Sequence, residues 1–200
     1  MPAAKLEPRI LTGQYVRLEP LEPRHYEGLI AAGSDPALWK YMPIDAETGY
    51  RGKLTAQAAA MAVGEQLVYA VYRLGEGKNA EAIVGSAAFM AIAAEHARLE
   101  IGTIWYRPEV QGSMVNPETM QLMLETAFEG GFNRVEFKAD AKNARSRAAL
   151  RKLGATEEGI LRQHMWLAQG RFRDSVYYSV LADEWPALRD RLRRRLAAFG

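Results

Sequence analysis

The residues richest in chemistry lie between Glu109 and Gln121, in the stretch EVQGSMVNPETMQ. They follow LEIGTIWYR, which has the alternation of a strand. Asn116 suits an N-cap, because its side-chain carbonyl can accept an otherwise orphan backbone N–H. Pro117 suits the first helical position and Glu118 the positive first turn. Gly112 lets the backbone approach a ligand closely. A strand, a glycine-containing turn and a helix start together make an anion site from free N–H groups and the helix dipole. The chain has neither GxxxxGK[ST] nor GxGxxG, so a nucleoside-triphosphate loop and a dinucleotide fingerprint are both excluded. Two readings stay open at this point: a well-started helix, or the seat of some other phosphate carrier.

No cysteine is present among the 200 residues, which removes disulfides, thiolate metal sites and cysteine nucleophiles together. His25, His96 and His164 have no metal-ligand spacing, so no metal site is expected. A net charge of +2 gives no general attraction to nucleic acid or membrane. The positive charge gathers in the C-terminal RDRLRRRLAAFG, where Leu188, Leu192 and Leu196 fall at helical spacing. That pattern reads as a solvated terminal helix, with an RNA-binding tail as the alternative. The first residues lack an apolar signal region and no stretch reaches the length of a membrane span, so a cytoplasmic protein is expected.

Stepping outward from the loop, the pattern predicts the elements that would hold it. Residues 1–13 read as an irregular leader and Tyr15–Leu21 as a strand. Pro23 opens a helix to about Ala32, and Ser34-Asp35-Pro36 opens a short one toward Tyr41. Residues 43–52 read as turns and 53–64 as an alanine-rich helix. Leu67–Arg73 and Ala82–Phe89 form a hairpin across GEGKNAE, with Arg98–Tyr106 beside it. A helix over Pro117–Glu129 has Met120, Leu124, Ala127 and Phe128 on one face and ends at Gly130-Gly131. A strand over Arg134–Ala139, a helix over Ala144–Leu153 and a hairpin of Ile160–Leu167 with Phe172–Leu181 complete the order. This is a mixed α/β chain with strand–helix–strand units confined to its second half.

The strand EIGTIWYR, its loop and helix, and Asn143-Ala144-Arg145-Ser146 before Leu150-Arg151-Lys152-Leu153-Gly154 resemble the GCN5-related N-acetyltransferase (GNAT) superfamily. Within it the resemblance is to the ribosomal-protein N-terminal acetyltransferases. LTGQYVRLEPLEPRHYEGL, SDPALWKYMP and FRDSVYYSVLADEW extend it over roughly residues 10–185. The resemblance implies one acetyltransferase domain over residues 1–200, with 1–13 as leader and 183–200 as a basic C-terminal helix. It implies an α/β fold whose mixed, mostly antiparallel twisted sheet has about seven strands, flanked by helices and splayed between the fourth and fifth.

It further implies acetyl-coenzyme A as co-substrate, with its pyrophosphate on Gln111, Gly112, Ser113, Met114, Val115 and Asn116. The backbone of Ile104, Trp105 and Tyr106 would bond the pantetheine arm as an added strand. Asn143 and Ser146 match the motif N-x-x-S and would touch the cofactor, and Arg145 flanks them. Met114 and Asn116 depart from the glycine or alanine of the family loop, and Leu150 stands where many relatives carry a proton-donating tyrosine. Direct transfer needs a base, an oxyanion donor and help for the leaving thiolate. Glu100 is the candidate base, placed by alternation on the face of Gly102 and Ile104; a surface carboxylate or ion-pair partner is its other reading. The N–H of Trp105 or Tyr106 is the candidate oxyanion donor. Ser146 could assist the thiolate or simply cap the helix with Asn143. Trp39, Tyr41, Met42 and His164 could line an acceptor pocket, with ordinary core as the alternative for the aromatic cluster. The acceptor would be a primary amine, on a protein N-terminus or a small molecule. A coenzyme A-binding sensor or scaffold is the competing reading, kept open by Met114 and Leu150. The exposed edge of the C-terminal hairpin makes a homodimer an expectation.

Overall fold

The computed structural model describes residues 6–44, 49–75 and 81–198. The tip of the hairpin loop GEGKNAE and part of the turn at 43–52 lie outside them. The sheet strands are β1 (Leu11–Thr12), β2 (Val16–Pro20), β3 (Leu67–Arg73), β4 (Ala82–Ala93), β5 (Arg98–Tyr106), β6 (Arg134–Asp140), β7 (Thr156–Leu167) and β8 (Arg171–Leu181). The helices are α1 (Tyr26–Ala32), α2 (Gly49–Ala62), α3 (Val115–Glu129), α4 (Ala144–Leu153) and α5 (Trp185–Ala197). All eight strands form one sheet in the order β1-β2-β3-β4-β5-β6-β8-β7. Every pairing is antiparallel except β5 with β6, which α3 connects as a crossover.

The sheet has one strand more than expected. The extra one is β1, two residues inside the supposed leader, paired to Leu18 and Arg17. Counting it moves the splay to between β5 and β6. These strands are in register only at Arg98, Leu99 and Glu100 opposite Arg134, Val135 and Glu136. Beyond Glu100 they diverge, leaving the edge of β5 open toward Tyr106. Two further differences are local. The segment Pro36–Trp39 is a 3-10 turn rather than an α-helix, and α2 begins at Gly49.

The two faces of the sheet are covered differently. Leu99, Ile101, Val135, Phe137, Val176 and Tyr178 pack against Met123 and Leu124 of α3, Leu150 and Leu153 of α4, and Leu188 and Leu192 of α5. The leucine stripe of α5 is therefore buried, and Trp185 stacks on Phe128 at 5.5 Å. A solvated terminal helix was the wrong reading, because α3 offers an apolar groove that the sequence of α5 cannot reveal. On the opposite face Leu21, Leu29, Leu54, Val68, Ala70, Ala88 and Trp105 pack between α1, α2 and the first strands. That cluster contains no residue of β6, β7 or β8. Alternation puts Glu136, Lys138 and Asp140 of β6 and Arg173, Ser175 and Tyr177 of β8 on this side, facing no apolar partner.

Candidate active site

The loop after β5 begins where Gln111 turns back, donating Nε2–H to the carbonyl of Tyr106 at 2.7 Å. Its Oε1 accepts from Arg145 of α4. One side chain thus ties the end of β5 to the start of α4. Gly112 follows with φ +85°, a left-handed conformation that glycine adopts without strain, and nothing crowds the space beside it. Helix α3 then starts at Val115, two residues earlier than expected, with Met114 as the N-cap. Asn116 is not the cap; it and Pro117 sit inside the first turn, where a missing N–H costs no hydrogen bond. Ser113 supplies the local polar contacts instead, donating to the carbonyl of Val110 at 2.6 Å and accepting from Val115 N–H at 3.3 Å.

Met114 is buried and absent from the lining of the adjacent cavity, so its side chain does not narrow the approach to the loop. Among the described residues the backbone N–H groups of Gly112, Met114 and Asn116 have no hydrogen-bond partner. Three unspent donors at a helix start are what a phosphate requires, so the residues present fit a pyrophosphate. Glu118 does not contradict this, because its carboxylate is turned away. It accepts the backbone N–H groups of Gln14, Tyr15 and Val16 at 2.8, 2.6 and 2.8 Å. A Cβ at Gly13 would fall 2.3 Å from the Glu118 carboxyl carbon, so glycine is needed there too.

A cavity of about 300 Å³ opens where β5 and β6 part. Ile104, Trp105, Tyr106, Gln111, Gly112, Asn116, Asn143, Arg145 and Ser146 line it, together with Tyr41 and Met42. Eleven of the candidate site residues are thus brought to one cleft, with Leu150 beside them. Ser113, Met114, Val115, Trp39, His164 and Glu100 are not in its wall. Val115 belongs to the apolar core under α3. Trp39 stacks on Tyr50 at 4.9 Å and meets Trp105 edge-on at 5.1 Å, packing half-buried against the core cluster on the α2 side. His164 is exposed on β7 and bonds Ser175 Oγ at 3.0 Å. Asn143 caps α4, its Oδ1 accepting the N–H of Ser146 at 3.0 Å, while both still face the cleft.

Glu100 is 4% exposed and paired to Lys138 Nζ at 2.9 Å. Burial pushes its carboxyl up from the ordinary range, and the Lys138 ammonium opposes the rise. Ile104 is not on its face. Ser86 pairs Trp105 while Ala88 pairs Gly102, so one residue of β4 spans two of β5, and Thr103 takes φ +48°. This β-bulge shifts the alternation by one. Ile104 and Tyr106 consequently join the α3 side with Leu99 and Ile101, and Trp105 the α2 side. The Tyr106 hydroxyl is buried without a partner among the described residues, and burial pushes its pKa well up. Only the backbone of Tyr106 is suited to the site.

Sequence reasoning missed Leu38, Pro43, Lys138, Asp140 and Arg173, which also line the cavity. The signal for the last three was present: VEFKAD and RDSVYY alternate apolar with charged residues on strands. Asp140 is buried, its Oδ2 paired with Arg171 and its Oδ1 accepting Lys142 N–H at 2.8 Å. Among the described residues no group of histidines and carboxylates is placed to hold a metal ion.

Residues 16–156 match the acetyltransferase (GNAT) domain. The chain belongs to that family. Family membership makes it an acetyl-coenzyme A-dependent acetyltransferase of GNAT type, as the resemblance implied. The structure is similar to a GCN5-related N-acetyltransferase from Brucella melitensis, with TM-score 0.84 and 30% identity over 96% of this chain and 87% of that one. It also superposes on Mycobacterium smegmatis RimJ in complex with CoA-disulfide, with TM-score 0.79 and 21% identity over 96% and 95% of the two chains. A Bacillus subtilis protein, YdaF, assigned provisionally to the ribosomal N-acetyltransferases, is 35% identical over 89 residues. That match spans 44% of this chain and about half, 48%, of YdaF.

Proposed function

We propose that this GNAT enzyme acetylates the N-terminal amine of a protein by direct attack of that amine, with both substrates bound together. The observation that carries the reading is the cleft itself. It joins the unspent N–H groups at the start of α3 to the polar side of β6 and β8 through the gap between β5 and β6. Acetyl-coenzyme A supplies the activated acyl group as a thioester. Gly112, Met114 and Asn116 N–H groups would take its pyrophosphate, and the open edge of β5 would hydrogen-bond its extended arm. Arg145, Asn143 and Ser146 would close over it from α4.

The chain's remaining work is proton and charge management. A backbone N–H of Trp105 or Tyr106 takes the negative charge that develops on the acyl oxygen. Glu100 accepts the proton of the attacking ammonium. Because Lys138, not Glu100, faces the cleft, that proton passes through Lys138 or a water molecule. Ser146 O–H would donate to the departing thiolate: it lines the cleft, and Leu150 at the alternative position has no ionisable proton. A protein N-terminus is favoured over a small amine by the resemblance to ribosomal-protein acetyltransferases and by the assignment of YdaF.

The test is thiol release from acetyl-coenzyme A with short peptides beginning Ser or Ala, alongside small amines. Peptide-dependent release with an N-acetylated product supports the reading. Thermal stabilisation by acetyl-coenzyme A without release for any amine would instead favour a coenzyme A sensor. No stabilisation by either form of coenzyme A would remove both.

A further inference from the structure

The cleft's wall on the side of β6 and β8 has an uneven charge inventory. Lys138 is paired with Glu100 and Asp140 with Arg171. Arg173 has no such partner: among the described residues no carboxylate lies within ion-pair distance of it. It is 7% exposed and lines the cleft, and its Nη1 donates to the carbonyl of Tyr41 at 3.3 Å. Its Nε is buried and unbonded. Burial depresses its pKa, with Asp140 and Glu100 acting from farther off to raise it, yet a guanidinium stays charged under any ordinary condition. A desolvated cation with spare donors is costly to bury unless an anion completes it.

That anion is not the pyrophosphate. Arg173 projects from the side of β8 opposite Val176 and Tyr178, which face α3 and α4, and its neighbour is Tyr41 in the segment after α1. It belongs to the end of the cleft by which an acceptor would enter. Resting on the acetyl-transfer reading above, we propose that Arg173 binds a carboxylate carried by the acceptor close to its primary amine. A guanidinium fork matches a carboxylate with two parallel hydrogen bonds, which fixes orientation as well as strengthening binding. The carboxylate has two sources: an acidic side chain near a peptide N-terminus, or the α-carboxylate of a free amino acid.

The experiment measures kcat/KM for a peptide beginning Ser-Asp against its Ser-Asn counterpart, and for free serine against serinamide. The parent enzyme is expected to prefer the carboxylate member of at least one pair by roughly 10-fold or more, the size of a charge-assisted hydrogen bond. Preference in the peptide pair assigns the anion to a side chain; preference in the serine pair alone assigns it to an α-carboxylate. Arg173→Gln should bring the ratio near one by raising KM for the acidic acceptor while the KM for acetyl-coenzyme A holds. Arg173→Lys should keep part of the preference. A merely structural role, holding the Tyr41 segment, would lower both members of a pair alike and leave the ratio unchanged; that result overturns the proposal. So does a parent enzyme with no carboxylate preference in either pair, a measurement needing no variant. In that case turnover of the neutral acceptors leaves acetyl transfer standing. Turnover of none would remove both readings.

Discussion

Glu118 offers the sharpest quantitative test of how the site's helix is held. Its carboxylate, 5% exposed, accepts three backbone N–H groups from Gln14, Tyr15 and Val16, at 2.8, 2.6 and 2.8 Å. These fasten the turn between β1 and β2 to the first turn of α3. Glu118→Ala leaves the buried Val16 N–H and the half-buried Tyr15 N–H without partners and returns the Gln14 N–H to water. A hydrogen bond to a charged group is worth about 1.5–3 kcal/mol, and an orphaned buried donor costs about 1–3 kcal/mol. Three bonds to one carboxylate are not additive, so the expected loss is about 3–5 kcal/mol rather than the full sum. For a chain of this length each kcal/mol lowers Tm by about 2–4 °C, giving a fall of roughly 6–20 °C. Differential scanning calorimetry at neutral pH measures it. Glu118→Gln, which keeps one acceptor oxygen, should fall between the two. A loss under about 1 kcal/mol for the alanine variant would show that the three contacts are replaced by water at no cost, and the reasoning would fail.

Four further outcomes follow from the site. Gly112→Val forces a β-branched residue into φ +85°, so the fold should lose about 1–2 kcal/mol and acetyl-coenzyme A should bind at least about 10-fold more weakly by calorimetry. Because burial raises the Glu100 pKa, kcat/KM should rise with pH along a limb above the usual carboxylate range. Glu100→Gln should abolish that limb and cut turnover by about 10²-fold or more with little change in cofactor affinity, whereas a flat effect would eliminate Glu100 as base. Lys138→Met removes the cation that opposes the rise, so the limb should move to higher pH; an unmoved limb with a loss in Asp140→Asn would transfer the base role to Asp140. Glu158, beside Arg134, has its pKa pulled down to about 2. It contributes stability present above the unfolded carboxylate value and lost as pH falls toward about 2. Denaturant midpoints for Arg134→Met should lose that dependence, and added salt should weaken it in the parent.

Much of this architecture was legible because local rules and global fold agree. The body and glycine stop of the helix ending at Glu129 and the strand Arg134–Ala139 follow from periodicity, which acts over a few residues, whereas the capping signal at Asn116 put the helix start two residues late. The end of the cleft at Gln111, Gly112, Asn143 and Ser146 was legible because a glycine turn and an N-x-x-S cap are local features, although the Gln111–Arg145 contact across 34 residues was not. The opposite end was not. Glu100 was placed beside Ile104 by simple alternation, and a single bulge at Thr103 undid that. Trp39 and His164 carry no motif that separates an acceptor role from packing, and the structure sets one half-buried against the α2-side core and the other exposed on β7.

The sequence by itself determined most of the order of elements, the glycine-containing turn before α3 and the family pattern, since each rests on spacing within a short window. Only the tertiary structure decided which charges meet. Lys138 found Glu100, and Asp140 found Arg171, across strands far apart in the chain. Arg173 was left as the buried cation without an ion-pair partner among the described residues. Charge pairing depends on distances of a few ångströms between residues that no local rule relates. The charge pattern at this end of the cleft is therefore written in the sheet's register rather than in any motif.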